Sequence, residues 1–206
     1  MKTLKMSIMV LFHPVVTFQY IQKNRSEFSY LPVAALLLLS IIVRIFSIQV
    51  THYPLAAGEP RNTNIMLECI KLFVPVLTWV LASYAMTTIL DGETLFREAL
   101  LAMAYSLVPY IVFTVPLTLL SRIMELSQGS LYYSIQNAIF LWVILLFIIN
   151  MKEMNHFSGK KTLVIILLSL FTMAMIWATV ALFFAISSQF ISFVQEVLLE
   201  MKYKVD

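Results

Sequence analysis

Charged residues, cysteine and glycine are all scarce in this sequence, and each scarcity excludes a class of protein, a kind of site or a mode of helix packing. Asp, Glu, Lys and Arg make up 12% of the 206 residues, whereas hydrophobic residues make up 61%. Soluble domains contain about 45–50% apolar and about 25% charged residues, so a water-soluble fold could not cover this much apolar surface. The composition excludes an ordinary soluble domain and predicts an integral membrane protein.

The single cysteine, Cys69, excludes an intrachain disulfide and a cysteine metal cluster. The sequence has four glycines, and all of them lie in the connections between long apolar runs. No span therefore carries the small-xxx-small glycine pattern that draws transmembrane helices into close contact. The helices must pack through larger side chains.

Catalytic motifs are also absent from the sequence. It contains no G-x-S-x-G, H-E-x-x-H or P-loop motif and no intramembrane pair of aspartates, and its three histidines lie in surface or connecting segments. The basic residues are scattered, so there is no nucleic-acid footprint. We expect a protein that is not an enzyme, with no cofactor and no metal site.

Long apolar runs dominate what remains, and each is long enough to cross a bilayer core of about 30 Å as a helix. We predict an all-α integral membrane bundle of about five transmembrane helices, forming a single domain over residues 1–206. Residues 1–29 and 187–206 are predicted to be amphipathic segments, the first cytoplasmic and the second leaving along the interface. The predicted spans are about 30–50, 68–90, 96–120, 131–149 and 163–186.

The distribution of Lys and Arg predicts the orientation. Eight of these residues lie on one side of the predicted spans and five on the other, with the intramembrane Arg44 left uncounted. The positive-inside rule then places the amino terminus in the cytoplasm and, with five spans, the carboxyl terminus outside. The eight are Lys2, Lys5, Lys23, Arg25, Arg97, Lys152, Lys160 and Lys161; the five are Arg61, Lys71, Arg122, Lys202 and Lys204.

Arg44 is the one charge well inside a predicted span, roughly 9 Å from the end of that span at helical rise. A charge at this depth needs either a path to the interface or a partner. We expect Arg44 to snorkel to the outer boundary or to pair with Glu68 at the start of the second span. In the third span, Pro109 and Pro116 are two turns apart and share a face, which predicts a bent helix.

The connection between the second and third spans carries the densest turn signals. Asp91-Gly92 predicts a tight turn, and Thr94 predicts the side-chain cap of the next helix. Asp91, Glu93 and Glu98 form a small carboxylate cluster, but metal sites generally need more converging ligands. A helical hairpin is the minimal interpretation of this segment.

Two segments resemble a known family. The first is Phe12-His13-Pro14 with Thr17-Phe18 and Ile21; the second combines the stretch Leu90 to Arg97 with Ala104 to Tyr110. Together they resemble the bacterial branch of the Yip-domain family, the relatives of the Ypt/Rab-interacting membrane proteins. The resemblance implies five spans, no chemistry, and a location in a bacterial cytoplasmic membrane. It also implies another membrane protein as partner, such as an ABC-type exporter complex.

The resemblance further implies a partner-binding signature face. Its residues would be His13, Pro14, Asp91, Gly92, Glu93, Phe96, Arg97, Tyr105 and Pro109. An accessory or scaffold subunit of a membrane complex is the function that follows. The alternative is a small autonomous transporter or channel, for which Arg44 and the bent third span are the motivation.

Overall fold

The computed structural model of the protein describes residues 2–24, 30–51, 55 and 64–205, and within these ranges the side chains of residues 4–196. Five helices in the described chain are long and apolar enough to cross a membrane, which confirms the predicted fold class. Short helices α1 (Lys2–Phe12) and α2 (Pro14–Lys23) precede the spans. The spans are α3 (Leu31–Val50), α4 (Ile65–Ile89), α5 with α6 (Phe96–Ser106, Val108–Leu120), α7 (Gly129–Met154, preceded by a 3-10 turn Leu126–Gln128) and α8 (Gly159–Val205).

The third span, α5 with α6, is the centre of the bundle. Of its most apolar stretch 61% is buried inside the protein, compared with 22% or less for each of the other four spans. The helix is interrupted at Leu107, two residues before Pro109. Proline has no N–H to continue the helical hydrogen-bond ladder, so the interruption lies where the sequence predicted a bend.

Helices α1 and α2 are part of the bundle. Helix α1 packs on α5 and α6, and α2 packs on α7 and α5. Val10, Phe18 and Ile21 are fully buried, whereas Leu4 and Phe12 on the other side of α1 are more than 70% exposed. The inner face of the amino-terminal segment therefore packs on protein, against the third and fourth spans, whereas apolar side chains such as Ile8 and Val16 lie on its exposed side.

The fifth span differs from its prediction. Helix α8 continues without a break for 47 residues, roughly 70 Å at helical rise, so no helix boundary separates a crossing from a tail at residue 187. It packs mainly on α4. Residues 177–196 are nearly all exposed within the protein, so the carboxyl-terminal half of α8 extends beyond its packing contacts.

Not all of the residues that predicted the orientation belong to the described part of the chain. Arg25 and Arg61 lie outside the described residues, as do the side chains of Lys2, Lys202 and Lys204. The orientation and the position of residues 187–206 relative to lipid therefore stay predictions.

Candidate functional site

The ends of α4 and α7 lie together at one end of the bundle, which we call the signature end (residues 90–98 and 155–158). Helix α4 finishes with Asp91 in the left-handed region at φ 58°. The Gly92 N–H then donates to the Thr87 carbonyl at 2.7 Å, five residues back. This is the Schellman ending, in which the left-handed residue turns the chain so that unpaired helix carbonyls find donors.

Helix α7 ends in the same way. His156 has φ 53°, and the Phe157 N–H donates to the Lys152 carbonyl at 3.1 Å. Asp91 and His156 are the non-glycine residues with positive φ in the described part of the chain. Because Asp is among the residues that reach this region most readily, glycine is not required at position 91.

Asn155, at the end of α7, connects the two endings. Its Oδ1 accepts from the Thr94 N–H at 3.2 Å and from the Thr94 hydroxyl at 2.7 Å, and its Nδ2 donates to the Met151 carbonyl at 3.0 Å. Asn155 and Thr94 are both buried. The loop between spans two and three is thereby fixed to the end of span four.

The predicted cap at Thr94 was wrong. The residue that precedes the first turn of α5 is Leu95, and its N–H donates to Glu98 Oε2 at 3.0 Å. The Thr94 hydroxyl is engaged by Asn155 instead. Sequence reasoning missed Asn155, although a polar Asn directly after a long apolar span was a possible signal for a helix-end residue.

Other residues of the signature end contact α2, α4 and Tyr30, the residue that precedes α3. Gln22 Nε2 of α2 donates to Glu93 Oε2 at 3.4 Å. The Arg97 guanidinium lies 5.0 Å from the centre of the Tyr30 ring, within cation–π range. The Phe96 ring meets Tyr84 of α4 edge-on, with centroids 5.3 Å apart.

The structure brings together five of the nine predicted signature residues. All five lie at the signature end: Asp91, Gly92 and Glu93 in the loop, and Phe96 and Arg97 in the first turn of α5. Tyr105 and Pro109 are instead buried in the third span, on either side of its interruption. His13 and Pro14 form the corner between α1 and α2, with His13 exposed. The nine residues therefore do not form one exposed face.

A cleft opens behind this loop between α4, α5 and α7. The space within it that a water molecule can reach is about 30 Å³. Within it, Asn150 Nδ2 donates to the Ser106 hydroxyl at 3.0 Å, which links α7 to the central span. The polar side chains that line it include Ser83, Tyr84, Thr87, Thr94, Asn150 and Asn155.

The opposite end of the bundle, where residues 121–128 connect the spans, holds the intramembrane charge. Arg44 Nη2 lies 2.6 Å from Glu68 Oε2, and Lys71 Nζ lies 2.7 Å from Glu68 Oε1. The Arg44 side chain is 30% exposed and Glu68 is 12% exposed. The structure thus contains the predicted Arg44–Glu68 pair, which explains how an arginine is accommodated inside a span.

Gly92 offers a test of the loop's tight fit. A Cβ at this position would lie 2.6 Å from Asn155 Oδ1 and 2.7 Å from the Thr87 carbonyl oxygen. We expect Gly92→Ala to lower the free energy of unfolding by about 2 kcal/mol, because backbone cannot move aside cheaply. The matched control is Gly159→Ala, where a Cβ meets nothing within 4 Å. Thermal unfolding in detergent measures both, and equal stability of the two variants would contradict the described fit.

The fold defines a polytopic α-helical membrane protein with short connections and a central, interrupted span. The model of the Yip1 domain matches residues 8–182. The chain therefore belongs to the Yip1 domain family, as the sequence predicted. No curated protein and no solved structure matches the chain.

Proposed function

We propose that this protein is a non-catalytic accessory or scaffold subunit that docks on a larger membrane protein complex, of which an ABC-type transporter is the example that the family resemblance suggested. It would reside in a bacterial cytoplasmic membrane with its amino terminus in the cytoplasm. The signature end would then face the cytoplasm, since the described Lys and Arg of the larger group, such as Arg97, Lys152, Lys160 and Lys161, belong to this end.

The proposal rests on how the signature loop is held: contacts with neighbouring helices fix its inner side, and its outer side is left exposed. Gly92, Thr94 and Arg97 contact neighbouring helices, whereas Asp91 and Leu95 remain exposed, Leu95 at 60%. Ile89 beside them is 69% exposed. A preformed loop that presents apolar side chains around a carboxylate is suited to a protein partner, since little ordering entropy is lost on docking.

The experiment changes the outward residues without disturbing the inward ones. Asn at position 91 tolerates the left-handed region, and Ser at position 95 suits the start of α5. We expect the double variant Asp91→Asn with Leu95→Ser to keep its thermal stability and to lose at least about 80% of the partner that co-purifies in mild detergent, as quantified by mass spectrometry. The 80% figure assumes that the two changes remove about 1 kcal/mol of binding free energy. Because 1.4 kcal/mol corresponds to a tenfold change in affinity, this loss weakens binding about fivefold.

The matched control is Leu126→Ser, a leucine of similar exposure (70%) at the opposite end of the bundle. It should leave co-purification unchanged. Undiminished recovery of the partner with the double variant would contradict docking at the signature end, and recovery of the protein alone from the native membrane would contradict the accessory role itself.

A second candidate function is a small autonomous transporter or channel. The observation that favours it is the pair of polar clefts: one lies behind the signature loop and the other beside Arg44, at opposite ends of the interrupted third span. Purified protein in liposomes should then release an entrapped ion or solute, and the Arg44→Leu variant should not. Liposomes that remain tight with both proteins would leave the accessory role as the better account.

A further inference from the structure

Helix α8 packs on the bundle with one face of its first half. Ile165 on this face is fully buried, in a cluster that includes Trp79 and Met86 of α4. The residues of the face recur at intervals of three and four, which is the spacing of one side of an α-helix. None of them is among the exposed residues of α8; they are Thr162, Ile165, Ser169, Thr172 and Ile176.

The same face continues beyond these contacts. Steps of three and four onward from Ile176 reach residues that are apolar except for one serine, and the two phenylalanines among them are 74% and 67% exposed. The second half of α8 therefore presents outside the bundle the side with which the first half packs inside it. We call these residues the α8 stripe: Val180, Phe183, Ser187, Phe190 and Val194.

Helix α8 also extends further than α4, the helix on which it packs. The two helices run in opposite directions, and Trp177 Nε1 donates to the Thr78 hydroxyl at 3.4 Å. From Thr78 back to Ile65, where α4 begins, is roughly 20 Å of helix, and the same length carries α8 from Trp177 to about Phe190. The last residues of α8 therefore lie past the end of α4, in line with the span.

The carboxyl-terminal part of α8 does not bend onto the membrane surface. The sequence after Gly159 contains no proline or glycine, and sharp bends in helices need such a residue or a comparable interruption. A helix that continues straight leaves the membrane instead of lying along it. By helical spacing, Gln189, Ser192 and Glu196 lie on the side opposite the stripe. This amphipathic pattern is typical of a helix with a partner on one side.

A second copy of this chain is the partner that suits the stripe best. Copies inserted in the same membrane share one orientation, so their stripes lie at the same height and can meet about a two-fold axis. Alternating steps of three and four allow two parallel helices to interlock their side chains. The stripe carries no charge, so identical faces do not repel each other, and the small Ser187 at its centre permits close approach.

We propose that the α8 stripe is a dimer contact, in which α8 of one copy pairs in parallel with α8 of a second copy through Phe183, Ser187 and Phe190. The stripe lies at the opposite end of the bundle from the signature end. Its test therefore does not depend on the proposed function.

Cysteine cross-linking of the full-length protein in native membranes tests the pairing directly. Cys69→Ser removes the natural thiol, and Ser187→Cys then places a single thiol on the stripe. Two such thiols meet at a parallel two-fold contact, so mild oxidation should convert most of the protein to a covalent dimer. The matched control is Ser192→Cys in the same background. Its thiols would be held apart on the outer sides of the pair, so it should cross-link about tenfold less.

Self-association in liposomes gives a second measurement, by energy transfer between two differently labelled pools of the protein. Phe183→Ala with Phe190→Ala should weaken association about tenfold, because the aromatic contacts across the pair are lost. Leu182→Ala should leave association unchanged, since Leu182 is 62% exposed on the side opposite the stripe. The proposal is overturned if Ser187→Cys cross-links no better than Ser192→Cys or cross-links to a different protein. It is also overturned if the double phenylalanine variant associates as the wild type does.

Discussion

Replacing Phe18 by Ala should lower the free energy of unfolding by about 3 kcal/mol, although Phe18 lies in a short helix before the first span. The side chain is fully buried between α2 and the bundle, so truncation leaves a cavity whose lining loses its contacts. Truncation of a buried phenylalanine usually costs about 3–5 kcal/mol. We expect the low end of this range because lipid is itself apolar, so packing Phe18 against protein rather than lipid gains little hydrophobic free energy.

Phe12 supplies the control, since it is the same residue type in the same segment but is 74% exposed. Phe12→Ala should change the unfolding free energy by less than about 0.5 kcal/mol. Unfolding of both variants in detergent can be followed by circular dichroism. If Phe18→Ala were as stable as Phe12→Ala, the amino-terminal helices would not be packed into the bundle.

Breaking the Arg44–Glu68 pair should have the other large effect. Arg44→Leu leaves the Glu68 carboxylate, which is 12% exposed, paired with Lys71 alone among the described residues. Removing one member of a buried pair costs about 3–5 kcal/mol in general; Lys71 and the partial exposure of Arg44 keep the expected loss near 3 kcal/mol. Thermal unfolding in detergent measures this loss.

The double variant Arg44→Leu with Glu68→Leu separates the pair from other effects. It should recover most of the stability, because neither charge is then left alone in apolar surroundings. Lys71→Leu should change stability by less than about 1 kcal/mol, because the Lys71 side chain is 61% exposed. If the double variant lost as much stability as the sum of its single changes, Arg44 and Glu68 would not act as a pair.

The candidate sites were predictable in different degrees. The turn at Asp91 and Gly92 follows from local chemistry, and the structure places a Schellman ending there. The partnership of Thr94 with Asn155 joins residues 61 positions apart, which no local signal encodes. The Arg44–Glu68 pair could be proposed because both residues lie near the same end of adjacent spans, so the membrane itself restricts the choice of partners.

The nine signature residues lie apart for a related reason: their positions depend on tertiary packing and not on local sequence. Tyr105 and Pro109 follow the loop closely in sequence, but helical rise carries them roughly 13–20 Å along the third span from Phe96. They are buried because the third span is the central one. The sequence does not reveal this, since α5 and α6 are no more apolar than the exposed α8.

The sequence by itself determined that the chain is an all-helical membrane protein of five spans, because apolar runs of about 20 residues satisfy their own backbone hydrogen bonds in hydrocarbon by forming helices. It also determined the interruption before Pro109, since a missing N–H acts locally. Only the tertiary structure decided which span is central, how α1 and α2 fill the bundle, and which polar side chains meet in the two clefts. Those outcomes depend on contacts between segments that are distant in sequence. Because the apolar runs resemble one another in composition, the sequence does not determine which of them pack together.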